Sequence, residues 1–119
     1  MVYDEFTRTV INIIRRIPKG KVLSFGILAD MAGNPKGARQ VSWILHSMSK
    51  KYNLSWWRII NSKGVITIRP GEGRDFQRAK LESEGVKFIE DYRIDLDSYL
   101  WKIGNKNNFL QKSAYLSGR

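Results

Sequence analysis

The chain has 119 residues, 42% of them hydrophobic, with 21 Lys and Arg against 11 Asp and Glu for a formal charge of +10. That length supports one small domain with a single core and no disulfide or metal staple, and the absence of cysteine excludes disulfides, thiolate nucleophiles and the usual zinc sites. No run approaches the ~18 apolar residues of a membrane-spanning helix and no signal peptide opens the sequence, so an intracellular location is expected, cytoplasmic or nucleoid-associated, or nuclear in a eukaryote.

Residues Tyr3 to Arg16 read as a helix, because Phe6, Val10, Ile13, Ile14 and Ile17 recur at helical spacing. Asp4 and Glu5 in the first turn and Arg15 and Arg16 in the last suit the helix dipole, and Pro18 ends the element. Ser24 is a good N-cap for a short second helix whose Ile27, Leu28 and Met31 share a face, closed by Gly33 with Pro35 just beyond. A third helix is predicted from about Ala38 to Met48, with Val41, Ile44, Leu45 and Met48 as its buried stripe. Arg39, Ser42, Trp43 and His46 fall on another side of it. Two short helices joined by Gly33-Asn34-Pro35-Lys36-Gly37 form a helix-turn-helix, with the third helix as the recognition helix.

Two β-branched runs, Arg58 to Ile60 and Val65 to Ile68, flank Asn61-Ser62-Lys63-Gly64 and predict a hairpin wing, with Gly64 suited to a left-handed turn position. Pro70 to Gly73 reads as a loop, Asp75 to Glu84 as a helix ended by Gly85, and Val86 to Ile89 as a last strand. Leu96, Tyr99, Leu100 and Trp101 are expected to close the fold, giving a domain over 1–103 and a polar tail over 104–119. The predicted fold class is mainly α with a small β-hairpin wing, a winged helix-turn-helix.

The charge points to nucleic acid, with an anionic membrane surface as the weaker alternative. Lys36, Arg39, Arg58, Lys63, Arg69, Arg74 and Arg78 lie in or beside turns and helix starts and not in one tail, and no basic amphipathic helix suits membrane docking. His46 is the only histidine and has no second ligand near it in sequence, so neither metal nor cofactor is expected.

Five segments carry a resemblance to a known family. Ser55-Trp56-Trp57-Arg58, followed by Ile59-Ile60-Asn61-Ser62-Lys63-Gly64, is similar to the active-site segment of the O6-alkylguanine-DNA alkyltransferases, Pro-Cys-His-Arg-Val then Ile/Val-Asn-Ser-x-Gly. Ile17-Pro18-Lys19-Gly20-Lys21-Val22 with Ser24-Phe25-Gly26, Gly33-Asn34-Pro35, Ala38-Arg39-Gln40-Val41, and the stretch Gly71 to Gly85 resemble its other motifs, in family order, over roughly residues 6 to 101. Trp56 stands where the family has its alkyl-accepting cysteine, the replacement that marks the alkyltransferase-like proteins. An indole has no thiolate to attack carbon, so the resemblance implies a lesion binder that is not an enzyme.

The same resemblance implies roles for individual residues. Arg39 would enter the base stack from the minor groove and fill the gap left by a flipped nucleotide, since inspection of guanine O6 requires extrusion; the competing role is a phosphate contact. Phe25 matches a tyrosine that presses on the phosphate of that nucleotide and keeps its bulk without the hydroxyl. Trp56 would line the base pocket, and Trp57 replaces the histidine that relays a proton from the cysteine. Arg69 would lie over the damaged base as a cation-π partner. Ser24, Lys36, Ala38, Gln40 and Ser42 are expected at the DNA surface, and Arg58, Asn61, Ser62 and Gly64 are expected to support the turn. The implied partner is double-stranded DNA containing O6-alkylguanine, bound by a monomer that marks or shields the lesion for nucleotide excision repair proteins. The alternative is a sequence-specific or general winged-helix DNA-binding protein, in which the third helix reads the major groove.

Overall fold

The computed structural model describes residues 4–102; Tyr3 and the predicted tail over 104–119 lie outside them. Helix α1 (Glu5–Arg16) is capped by Asp4, whose carboxylate accepts from the Thr7 N–H at 2.8 Å. Thr7, through its backbone N–H and its hydroxyl, holds the Asp4 carboxyl below its ordinary value. Strand β1 (Leu23–Ser24) leads directly into α2 (Phe25–Met31), and α3 (Ala38–Tyr52) follows the Gly33–Gly37 turn. Helix α3 runs past Met48 to Tyr52 because Ser49, Lys50 and Lys51 break no helical rule and the two lysines sit favourably at its negative end. Asn53, at φ 53°, stops it in the left-handed region. Val41 and Ile44 are the fully buried members of its stripe, while Leu45 and Met48 are half-buried against the core.

A single 3₁₀ turn, Trp56–Arg58, then delivers the chain into β2 (Ile59–Ile60). The predicted pairing of this run with Val65–Ile68 does not form as a strand pair. Strand β2 instead pairs in parallel with β1, Leu23 opposite Ile59 and Ser24 opposite Ile60. The reason is burial on both faces, which suits a parallel pair better than a half-exposed wing. Leu23 and Ile59 face a core built from α1, α2 and α3, while Val22 and Ile60 face a second core of Ile66, Leu81, Val86 and Ile94. The β1–β2 pair is the septum between them.

The Asn61–Gly64 turn still forms, with the Gly64 N–H donating to the Asn61 carbonyl at 3.0 Å. Its second arm turns to a different partner: the Ile66 N–H donates to Tyr92 O and the Ile94 N–H to Gly64 O, both at 2.9 Å. Helix α4 (Glu72–Ser83) begins one turn earlier than predicted, behind Gly71. The antiparallel hairpin of the fold is β3 (Phe88–Glu90) with β4 (Arg93–Ile94), so the last predicted strand is shifted by a residue or two and gains a partner. Helix α5 (Leu96–Tyr99) closes the domain as expected: the Val22 N–H donates to Tyr99 O and the Trp101 N–H to Val22 O. The result is mainly helical with two small sheets, the predicted class with its wing rebuilt.

Candidate base pocket and nucleic-acid interface

Helix α3 and the 3₁₀ turn face each other across a cavity of about 600 Å³. One wall is polar and comes from α3 and its cap: Ser42, His46, Ser49, Lys50 and Asn53. The other is apolar and aromatic, with Phe25, Trp56, Trp57 and Ile68. A concave site with a mainly apolar wall and a few polar groups is the usual form of a small-ligand pocket, and its volume lies within the usual range for one. Ser42, one helical turn after Arg39 on α3, lines the cavity.

Trp56 is half-buried and stacks on Phe76 of α4, ring centroids 5.8 Å apart and planes 19° from parallel. Trp57 meets it edge-on at 6.2 Å and 79°. The two indoles therefore have different jobs. Trp56 presents its ring to the cavity, whereas Trp57 points its N–H away, donating to Glu84 at 3.0 Å.

Glu84, whose role no local pattern in the sequence marks, is the centre that fixes this turn. Its carboxylate receives Arg58 as a fork, Nε at 3.0 Å and Nη2 at 2.6 Å, together with Trp57 Nε1 and the Gly20 backbone N–H at 3.2 Å. The third arm of Arg58 donates to Ile17 O at 2.7 Å. Both side chains are nearly inaccessible, 9% for Arg58 and 5% for Glu84. Burial pushes the Glu84 carboxyl up, but the hydrogen bonds from Arg58, Trp57 and Gly20 and the guanidinium charge outweigh it and hold the carboxyl below its ordinary value. Gln77 completes the frame by donating to both Trp57 O and Ile59 O at 3.0 Å. The only advance signals were the places of Gln77 and Glu84 in the Gly71–Gly85 motif, a polar residue and an acid recurring at a helix-to-core junction.

The turn beyond is held by Asn61, whose side-chain oxygen accepts from the Lys63 N–H at 2.9 Å and the Val65 N–H at 2.8 Å. Ser62 is exposed at its tip. Gly64 sits at φ 76°, and a Cβ there would lie 2.6 Å from Ile94 O, so the close approach of β4 and the left-handed backbone both require glycine.

Not every expected surface residue is at the surface. Ser24 is 2% exposed and its hydroxyl caps α2 by accepting from the Ile27 N–H at 3.0 Å, which corrects its assignment as a DNA-contacting side chain. Gln40 is half-buried on the first turn of α3, next to Arg39 in sequence. Ala38 opens α3 half-buried. Lys36, Arg39 and Ser42 are exposed, the last at the pocket mouth. Arg69 is exposed directly after Thr67 and Ile68, which line the cavity, but does not line it itself.

Residues 5–86 match the family described as 6-O-methylguanine DNA methyltransferase, DNA binding domain. The chain is 40% identical over 99 residues to a DNA base-flipping protein of Vibrio parahaemolyticus, covering 83% of this chain and 98% of that one. It is 36% identical over 107 residues to alkyltransferase-like protein 1 of Schizosaccharomyces pombe, covering 86% and 99%. The crystal structure of S. pombe Atl1 in complex with damaged DNA containing O6-carboxymethylguanine superposes with a TM-score of 0.76 at 35% identity, over 87% of this chain and all of that one. The chain belongs to the alkyltransferase-like proteins. Their relation to the alkyltransferases explains why an acceptor-site turn is preserved here around an indole: the sequence has no cysteine, so it offers no thiol to accept an alkyl group.

Proposed function

We propose that this protein recognises O6-alkylguanine in duplex DNA by docking α3 in the minor groove and holding the flipped guanine, alkyl group intact, in the cavity between α3 and the Trp56–Arg58 turn. The observation that carries this reading is Trp56: at the acceptor position it lines a pocket of about 600 Å³ and stacks on Phe76, forming a flat wall for a planar base. Arg39, exposed on the first turn of α3, would fill the vacated stack. A guanidinium supplies both a stacking plane and donors for the orphaned partner base. Phe25 lines the cavity, where it would bear on the extruded nucleotide, and Arg69, the residue after the cavity-lining Ile68, would lie over the seated base.

With no group to accept the alkyl, residence on the lesion is the product, and the protein serves as a mark or shield that hands the site to nucleotide excision repair. The deciding test is binding to matched duplexes carrying guanine or O6-methylguanine at one position, followed by intact-protein mass measurement. Tighter binding to the lesion with no added mass is expected. Equal affinity for both duplexes would overturn the reading and favour a general DNA-binding domain.

A further inference from the structure

Trp43 is the most exposed large hydrophobic residue among those described, at 59%, and it stands on the helix that carries Arg39. Single exposed apolar residues are ordinary on a protein surface, so exposure alone decides nothing. Its surroundings are more informative. Helix α3, Ala38–Tyr52, contains no Asp or Glu, and the outward positions around Trp43 are Arg39, His46, Ser47 and Lys50. Among the described residues the Trp43 indole N–H donates to nothing and its ring stacks on nothing; only the backbone carbonyl is engaged, by the Ser47 hydroxyl at 2.8 Å. A large planar group with a free donor therefore projects from a face that attracts polyanions and repels none.

The helix fixes where that group points. At about 100° per residue, Trp43 lies roughly 40° from Arg39 around the axis, and Ser42 lies roughly 60° from it in the other direction. Ser42 lines the base pocket and Trp43 does not. Arg39 thus lies between Ser42 and Trp43 around the axis. The rise from residue 39 to 43 is about 6 Å, within two base steps of about 3.4 Å each.

We propose that Trp43 is a second groove-inserting side chain, entering the minor groove on the far side of Arg39 from Ser42 and wedging a base step next to the gap that Arg39 fills. This rests on the minor-groove docking proposed above. An indole suits the task because it is apolar enough to unstack a step, and its N–H can donate to the acceptors that every base pair presents in that groove. A wedge beside a filled gap would kink the duplex away from the protein and stabilise the extruded state.

The test compares the parent protein with Trp43→Ala and Trp43→Phe on lesion and undamaged duplexes, reading affinity at several salt concentrations and DNA bend by energy transfer between end labels. Trp43→Ala is expected to weaken lesion binding by roughly ten-fold, as loss of one base–aromatic stack does. It should also reduce the bend and leave the salt slope unchanged, because no phosphate contact is lost. Trp43→Phe should retain most of both. Parent-like affinity and bend in Trp43→Ala, or tighter binding, would show that the indole stays outside the groove and overturn the proposal. A fall in affinity with the salt slope falling in step would assign Trp43 to positioning a phosphate contact and overturn it equally. Failure of the lesion reading is visible separately, as a parent protein that binds and bends both duplexes alike; the Trp43→Ala difference in bend is then still read on either duplex.

Discussion

Removing the Glu84 carboxylate should be among the most damaging single changes in this protein, and the structure says by how much. In Glu84→Ala the Arg58 guanidinium stays where it is, 9% exposed and still tied to Ile17 O, but it loses both of its carboxylate bonds. An unpaired buried charge of this kind costs about 3–5 kcal/mol. The Trp57 N–H and Gly20 N–H lose an acceptor in the same step, so the upper half of that range is expected. For a domain of this size each kcal/mol lowers the midpoint of thermal unfolding by roughly 4 °C or more, so a drop of about 16 °C or more should be seen. Arg58→Ala should cost a similar amount, and the double variant far less than the sum, since removing both partners leaves no orphaned charge. The assay is urea and thermal unfolding of the four proteins in one buffer. The pH dependence supplies a second check. A carboxyl held low in the folded state contributes stability that is fully present above its unfolded value of about 4.5 and is lost as the pH falls through the lower folded value. Glu84→Gln should remove that acid-side loss and flatten the profile there. If Glu84→Ala costs less than about 1 kcal/mol, or the two single costs simply add, the buried fork is not what fixes this turn.

Other outcomes follow from the same geometry. Incubation with alkylated DNA should leave the lesion in place and the protein mass unchanged, which loss of the alkyl group from DNA would refute. Log affinity should fall linearly with log salt, at a slope corresponding to roughly four to seven phosphates for so small a footprint; a flat response would remove DNA as the partner. Arg39→Ala should weaken lesion binding more than Lys36→Ala and abolish the brightening of a fluorescent base analogue beside the lesion, even at restored occupancy, whereas equal effects would make Arg39 a phosphate contact. Gly64→Ala should destabilise the domain by about 1–3 kcal/mol in chemical unfolding, given the positive φ of 76° and the 2.6 Å approach to Ile94 O.

The helical half of the fold was legible because its signals are local. The spacing of Val10, Ile13 and Ile14, the Ser24 cap and the Val41–Ile44 stripe each report on a few neighbouring residues, and the helices stand where those patterns put them. The wing was misread because Ile59-Ile60 is too short to carry a period. Apolar on both faces, it is indistinguishable in sequence from one arm of a hairpin, and its true partner, Leu23-Ser24, is remote along the chain. The site divides in the same way. Phe25, Trp56 and Trp57 were legible from their motifs and do line one cavity. Glu84 was not, because its role exists only once Ile17–Gly20, Trp57-Arg58 and the end of α4 have converged. Ser49, Lys50 and Asn53 reach the pocket only because α3 continues past Met48, an extension that no apolar period announces.

That convergence also explains why a thiol alone should not make this protein a transferase. An acceptor cysteine must shed its proton, and the neighbouring side chain here is Trp57, whose ring nitrogen is a donor only. It spends that donor on Glu84, and Glu84 in turn has donors on both oxygens and a carboxyl held low, so it is a poor base by every measure the structure offers. Trp56→Cys should therefore fold, expose its thiol to the cavity and transfer nothing measurable. Adding Trp57→His would replace the donor-only indole with a ring whose second nitrogen can accept a proton, while its first can keep the bond to Glu84. The imidazole is smaller than the indole packed beneath the Arg58 guanidinium and the Lys80 ammonium, at 5.5 and 4.5 Å from the ring centre, so the double variant should lose stability as it gains chemistry. Slow mass gain from O6-methylguanine DNA by Trp56→Cys/Trp57→His, with none by Trp56→Cys, is the expected pair of results. Equal transfer by both variants would mean that water in the cavity suffices as the base and that Trp57 was never the barrier.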